Sequence, residues 1–159
     1  MGTVIIEGPD GAGKSTLMHQ LLEGHPEYQR APRACSSLGG RLSGIDLVAY
    51  LTQYGSLDGV IYDRHPAISG VVYDAVLCRD PSIAAGKYLR EAFRWALENA
   101  RVIYCRPPVE VIAQSVLATP QMAGVARNIH RIVDTYDSVM GNLIPHETYD
   151  WTTDDLPDL

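Results

Sequence analysis

The sequence predicts one α/β layer sandwich, a parallel sheet covered by helices on both faces. Three observations lead there. Short apolar runs end abruptly at glycine, aspartate or proline: Thr3-Val4-Ile5-Ile6, Gly59-Val60-Ile61-Tyr62-Asp63 and Val102-Ile103-Tyr104-Cys105. Between them lie stretches with apolar residues three and four apart, the helical period. Strands that are apolar throughout and alternate with helices are buried on both faces, which favours parallel pairing. At 159 residues and 46% hydrophobic, the chain fits one domain with an ordinary core.

The elements follow in order. Thr3 to Ile6 is β-branched and apolar, a buried strand. Gly8 to Gly13 is a Gly-rich loop, and Lys14 to Glu23 is a helix with Leu17, Leu21 and Leu22 on one side, ended by Gly24-His25-Pro26. Tyr28 to Ala31 reads as a short strand, Ser36 to Gly44 as loop and Ile45 to Leu51 as helix. Gly59 to Asp63 is the second clear strand, and Pro66 breaks the chain soon after it. Tyr88 to Ala100 has Leu89, Ala92, Phe93 and Ala96 at helical spacing. The third strand closes at Pro107-Pro108, and Pro108 suits the start of the next helix. Ala123 to Met140 has the longest regular pattern, Val125, Ile129, Ile132, Tyr136 and Val139. His146 to Trp151 reads as an edge strand. Residues 1–151 then form one domain, and 152–159 a frayed acidic tail.

Composition excludes several classes. No apolar run approaches the roughly 20 residues of a membrane helix, and Met1 to Ile6 lacks the pattern of a signal peptide or a myristoylation site. Three scattered cysteines, Cys35, Cys78 and Cys105, read as reduced thiols, so the expected location is cytoplasmic. The net charge is −6, but residues 147–159 hold five acids and no base, so residues 1–146 carry only −1. That is not the basic face of a protein that grips duplex DNA. Eleven of the thirteen bases are arginine, which suits bidentate phosphate contacts.

Gly8-Pro9-Asp10-Gly11-Ala12-Gly13-Lys14-Ser15 matches G-x-x-x-x-G-K-[ST] in full. Glycines let the backbone curl so that successive N–H groups point at phosphate oxygens. The helix that follows adds its free N–H groups and dipole. In such a P-loop, Lys14 reaches the β- and γ-phosphates of a nucleoside triphosphate and Ser15 supplies a hydroxyl to Mg²⁺. With glycine at about 7% of residues, the fixed positions match by chance in under roughly 1% of chains this long. Val60-Ile61-Tyr62-Asp63 then supplies a strand-end carboxylate that reaches the metal in P-loop proteins. Arg64 follows at the carboxyl edge of the sheet, where ligands bind in α/β folds.

These residues resemble a known family. Glu7 to Thr16, E-G-P-D-G-A-G-K-S-T, is similar to the P-loop of thymidylate kinases, with Asp10 as the distinguishing residue. Asp63-Arg64-His65, with Ser69 downstream, resembles that family's D-R-Y/H motif. Val102 to Pro108 resembles the strand and proline before its lid. The stretch Asp63 to Ser69 is closer still to the small deoxynucleoside monophosphate kinases encoded by phages. The resemblance runs through most of the chain in order and is specific at the first two motifs.

The resemblance implies a P-loop NTPase three-layer sandwich with a five-stranded parallel sheet flanked by helices. It implies ATP and Mg²⁺ as donor and a deoxynucleoside monophosphate, dTMP or a related one, as acceptor, a step of nucleotide biosynthesis. Gly8, Gly11, Ala12, Gly13, Lys14, Ser15 and Thr16 would hold the donor, and Ser15 and Asp63 the metal. Lys14, Asp10, Asp63 and Arg64 form the implied catalytic set. Asp10 would approach the acceptor, and Arg64, Arg33, His65 and Ser69 would bind it, Arg33 through correspondence of Arg30-Ala31-Pro32-Arg33 with an R-x-P segment. Arg127 and Arg131, four apart on the polar side of the 123–140 helix, are the arginines available to a short lid near 118–131. His65 reads as a polar wall residue. The resemblance fits a monomer or a homodimer.

Two other functions fit the same loop. One is a kinase acting on nucleic acid, at a terminus or a modified base, with a basic groove around Arg90, Arg94, Arg101 and Arg106. The other is a non-catalytic NTP-binding module. The complete set of Lys14, Ser15 and Asp63 argues for catalysis.

Overall fold

The computed structural model describes residues 2–36, 40–80 and 83–159, so the middle of the loop expected over 36–44 lies outside the described residues. Five strands, β1 (Thr3–Glu7), β2 (Gln29–Arg30), β3 (Val60–Asp63), β4 (Ala100–Cys105) and β5 (Glu147–Tyr149), form one sheet in the order β2-β3-β1-β4-β5. Every pairing is parallel; Val4 faces Ile61 on one side of β1 and Ile5 faces Val102 on the other. β1 lies at the centre because all five of its residues are buried. Helices α1 (Lys14–Gly24), α2 (Gly44–Tyr54), α3 (Pro66–Val76), α4 (Gly86–Asn99), α5 (Val109–Ala118) and α6 (Ile129–Leu143) surround it.

The sheet and helices share one large core that includes Ile5, Ile61, Ile103, Leu17, Ile68 and Tyr136. A smaller cluster, Leu47, Tyr50, Leu51, Ala67, Ala85 and Ala92, fastens α2 to α3 and α4. The sequence order reverses about β1, with β3 on one flank and β4 on the other, which opens a crevice at the strands' carboxyl ends. Among the described residues no helix is long and apolar enough to cross a membrane.

Three local expectations change. Pro66 starts α3 instead of breaking the chain. It sits in the first turn, where its missing N–H is not needed, and the His65 ring caps the helix by accepting from Ala67 N at 3.3 Å. The helix expected from Ala123 begins only at Ile129. Gly124 takes a left-handed φ of 87°, Asn128 Nδ2 donates to its carbonyl at 2.8 Å, and Ala126–Asn128 form a 3₁₀ turn. Val125 is buried from that turn.

The expected frayed tail is instead folded back. Pro157 is buried and Leu159 packs against the core. Arg101 joins the Asp158 carbonyl to Glu147, whose Oε2 lies 2.6 Å from Arg101 Nη2.

Candidate active site

β1 ends at Glu7 and the chain curls through residues 8–13 into α1. Gly8 has a φ of 144°, and a Cβ there would meet the Cys105 carbonyl at 2.7 Å, so only glycine lets the loop pass β4. Gly13, the residue before α1, has a φ of 87°. The first turn of α1 carries no acid, so its free N–H groups and dipole face the loop unopposed. Lys14 is buried and its Nζ donates to the Pro9 carbonyl at 2.6 Å, across the mouth of the loop. Burial, and then the nearby Arg64 charge, lower the Lys14 ammonium to about 8. Ala12 is buried beneath the loop, while Ser15 and Thr16 are exposed at its rim.

Ser15 Oγ donates to Asp63 Oδ2 at 3.2 Å, which joins α1 to the end of β3. Arg30 Nη2 approaches the same carboxylate oxygen at 3.7 Å. A hydroxyl and a carboxylate at hydrogen-bonding separation, open to the loop, form a hard-oxygen donor set that fits Mg²⁺.

Beyond Asp63 the backbone turns sharply. Arg64 has a φ of 66°, uncommon for a residue with a side chain. Three contacts hold it: its N–H donates to the Ile6 carbonyl at 2.9 Å, its Nε to the Gly8 carbonyl at 3.1 Å and its Nη2 to Tyr73 Oη at 2.7 Å. Its Nη2 also lies 3.0 Å from Asp10 Oδ1, and Tyr73 Oη donates to Asp10 Oδ2 at 2.6 Å. Burial pushes the Asp10 carboxyl up, but Arg64, Lys14 and the Tyr73 hydroxyl outweigh it and hold the group below its ordinary value. The result is a closed triangle of Asp10, Arg64 and Tyr73 beside the phosphate loop.

A cavity of about 550 Å³ opens from this triangle. Arg33, Asp63, Arg64 and Ser69 all line it, so four of the residues marked in the sequence meet in one space. Ser69 Oγ donates to the His65 carbonyl at 3.1 Å. Tyr73 lines the cavity too, an aromatic that the sequence offers either for stacking on a base or for core packing, and so do Arg41 and Asp74, which no sequence motif marks. Ser69 and Tyr73 are one helical turn apart on α3, a spacing that marks a shared face once the helix is known.

His65 is a correction. Its side chain is fully buried and outside the cavity lining. One ring nitrogen pairs with the Gly55 carbonyl at 3.1 Å and the other caps α3. Burial, only partly offset by the Gly55 contact, lowers its pKa to about 4.

Behind it lies Glu7, which the sequence offered only as a motif letter. Its Oε1 accepts the His65 N–H at 2.7 Å and its Oε2 accepts Tyr136 Oη at 3.1 Å. Complete burial raises this carboxyl to about 7.

The expected lid is short. Residues 119–125 connect α5 to the 3₁₀ turn, and Arg127 and Arg131 are exposed, with no side-chain ion pair among the described residues. Arg127 lines a shallow hollow with Val116, Thr119 and Met122. Over the loop itself, α5 packs Ile112 and Val116 against Gly11, and the Trp151 indole rests against Gly13.

No protein-family model matches the chain, and no curated protein matches its sequence. Solved structures do. The YorR protein of Bacillus subtilis, in complex with phosphorylated GDP, is 22% identical with a TM-score of 0.73, over 95% of this chain and 86% of that one. Deoxyadenosine kinase from M. mycoides with bound dCTP is 16% identical with a TM-score of 0.63, over 96% and 91%. Shikimate kinase from Acinetobacter baumannii, with shikimate, is 17% identical with a TM-score of 0.56, over 94% and 83%. These likenesses establish the α/β P-loop NTPase fold.

Proposed function

We propose that the protein transfers the γ-phosphoryl group of ATP to a deoxynucleoside monophosphate. The observation that carries this reading is the Asp10–Arg64–Tyr73 triangle, which joins the phosphate loop to the 550 Å³ cavity. A module that only bound a triphosphate would need the loop but not a braced arginine facing a second chamber. Two of the three solved structures named above hold phosphorylated GDP and dCTP, which supports a nucleotide as ligand, and the third holds shikimate.

Each residue then has a physical task. The N–H groups of residues 8–15 and the start of α1 cradle the donor phosphates. Lys14, charged below about pH 8, turns from the Pro9 carbonyl to the phosphate oxygens. Ser15 and Asp63 would hold Mg²⁺, which when bound neutralises charge on the β- and γ-oxygens. Arg64 and Arg33 neutralise the acceptor phosphate from the cavity side. Asp10 keeps Arg64 and Tyr73 fixed, so no reorganisation is needed at the moment of transfer. Phosphoryl transfer depends mainly on such positioning and charge neutralisation, and it needs no buried base.

The nucleic-acid reading loses two of the four arginines it relied on. Arg101 is bound to Glu147, and Arg106 makes a fork to Asp137 at 2.8 and 3.0 Å. Incubation with labelled ATP and Mg²⁺, offering each nucleoside monophosphate, short single-stranded DNA or no acceptor, separates the readings. Labelled nucleoside diphosphate is the expected product. Labelled DNA without labelled diphosphate, or ATP binding with no turnover on any acceptor, overturns the proposal.

A further inference from the structure

The cavity beside the phosphate loop does not end at Arg64. It runs along α3 to Asp74. Arg33 and Arg64 line this cavity, and so do Arg41 and Asp74. An acceptor with its phosphate at the first pair therefore has its base inside the space that the second pair borders. The Asp74 side chain is 22% exposed and the Arg41 side chain 32%, so both are partly sheltered there. Arg41 Nη2 lies 3.0 Å from Asp74 Oδ2, and Arg41 Nη1 donates to the Asp80 carbonyl at 3.0 Å. This fixes the guanidinium. Asp74 Oδ1 takes no hydrogen bond from the described residues.

Resting on the kinase reading above, we propose that Asp74 and Arg41 read the acceptor's base, and that this base is guanine. A carboxylate accepts hydrogen bonds and donates none. Guanine alone sets two donors, N1–H and N2–H, side by side on its Watson–Crick edge. Its O6 acceptor lies next to them, on the side open to an arginine N–H. Adenine and cytosine set one donor beside a ring-nitrogen lone pair. Thymine sets one donor between two carbonyls. Each of these turns a lone pair toward a carboxylate oxygen, and such a mismatch in a sheltered pocket is strongly rejected. The thymine expected from the sequence resemblance is thus the poorer partner for this edge.

The test reads binding first and transfer second. Binding of dGMP, dIMP, dTMP and dAMP is measured calorimetrically on the wild-type protein saturated with a non-hydrolysable ATP analogue and Mg²⁺. The same four are then offered as acceptors with ATP. The expected result is dGMP about 100-fold tighter than dTMP and about 10-fold tighter than dIMP, which lacks only the N2 amine. Asp74→Asn, which replaces one acceptor by a donor, should weaken dGMP about 100-fold and move the preference toward dAMP. Equal binding of dGMP and dIMP, tighter binding of dTMP, or an Asp74→Asn loss shared by all four overturns the inference. The wild-type dIMP comparison decides even where the variant does not fold. Transfer that prefers dTMP overturns the guanine assignment and leaves the kinase reading intact. Selective dGMP binding without transfer does the reverse. No binding of any monophosphate overturns both.

Discussion

Arg64 Nη2 lies 3.0 Å from Asp10 Oδ1, so the end of β3 and the phosphate loop share one ion pair. The guanidinium also holds the Gly8 carbonyl through Nε and lies with its carbon 5.0 Å from the Tyr73 ring centre. A left-handed backbone at Arg64 is sustained by these contacts, and the strain is concentrated where the cavity begins.

Arg64→Ala should therefore separate donor from acceptor. Charge-assisted bonds to an acceptor phosphate correspond to about 10- to 100-fold in its KM. The ATP Kd should change less than about threefold, because the loop N–H groups and Lys14 remain. Arg64→Lys should recover little, since an ammonium cannot span Asp10, Tyr73 and Gly8 together. Steady-state kinetics with ATP and monophosphate varied separately reads both constants, and equal losses would contradict the role.

Lys14 gives a pH signature. Its free-state value of about 8 is depressed by burial and by Arg64, and a bound triphosphate must raise it. At pH 9 the free protein holds Lys14 largely neutral and the complex holds it charged. ATP binding should then take up about 0.9 proton. At pH 6.5 the lysine is already charged and contributes none. Calorimetry in buffers of different ionisation enthalpy counts these protons. Lys14→Arg should abolish the pH 9 uptake, and its persistence in that variant would assign the proton elsewhere.

The parts legible in the sequence are those where composition and position agree. Thr3 to Ile6 is an apolar run that stops before the Gly-rich loop and Val60 to Asp63 one that stops at a carboxylate, and both are strands, paired at Ile6 and Asp63. Ser15 and Asp63 are 48 residues apart and still came out as a pair, because each sits at a strand or helix boundary that the loop pattern fixes. What was lost followed from Pro66. Taken as a breaker, it hid α3, and with α3 went the cavity wall that Ser69, Tyr73 and Asp74 form. Proline at a first helical turn and proline in a loop look alike until the residue before it is known to cap. His65 was misplaced for a related reason: its ring caps α3 at Ala67, and its burial against Gly55 depends on a segment ten residues earlier in the chain. Glu7 lies beyond local reading altogether, because its partners His65 and Tyr136 are 58 and 129 residues away.

Glu7 and His65 also carry opposite linkages to stability. Glu7 is raised by burial from 4.5 to about 7, so between those values the folded state holds the extra proton. Its contribution falls as pH rises through that window. His65 is lowered by burial from 6.5 to about 4, so there the unfolded state holds the proton, and its contribution rises with pH. Each amounts to about 3 kcal/mol over its full window. Between pH 4.5 and 6.5 the two cancel, and the wild-type slope should be shallow. Glu7→Gln should unmask a rise of about 2–3 kcal/mol across that interval. His65→Asn, which keeps a capping side chain, should unmask a fall of similar size. Urea denaturation at half-unit pH steps measures both slopes, and slopes of the same sign in the two variants would refute the opposition.

Trp151 offers a direct optical report on the loop. Its indole rests against Gly13, so close that a Cβ added at Gly13 would lie 2.8 Å from Cδ1, yet the side chain is half-exposed. The turn that carries it is held by Asp150, whose Oδ1 accepts from Thr152 N at 2.9 Å and Thr152 Oγ1 at 2.6 Å. Asp154 Oδ2 accepts from Asp150 N at 2.7 Å. A fixed indole at the rim of the loop meets the donor nucleotide, and a purine face placed on it changes its emission. The chain has two tryptophans, so Trp95→Phe leaves Trp151 as the sole reporter. In that variant ATP should alter the emission with a midpoint equal to the calorimetric Kd. A nucleoside monophosphate alone should leave it unchanged, because Trp151 does not line the cavity between Asp63 and Asp74. A response to the monophosphate at lower concentration than to ATP would mean that the two nucleotides occupy the opposite ends of the site.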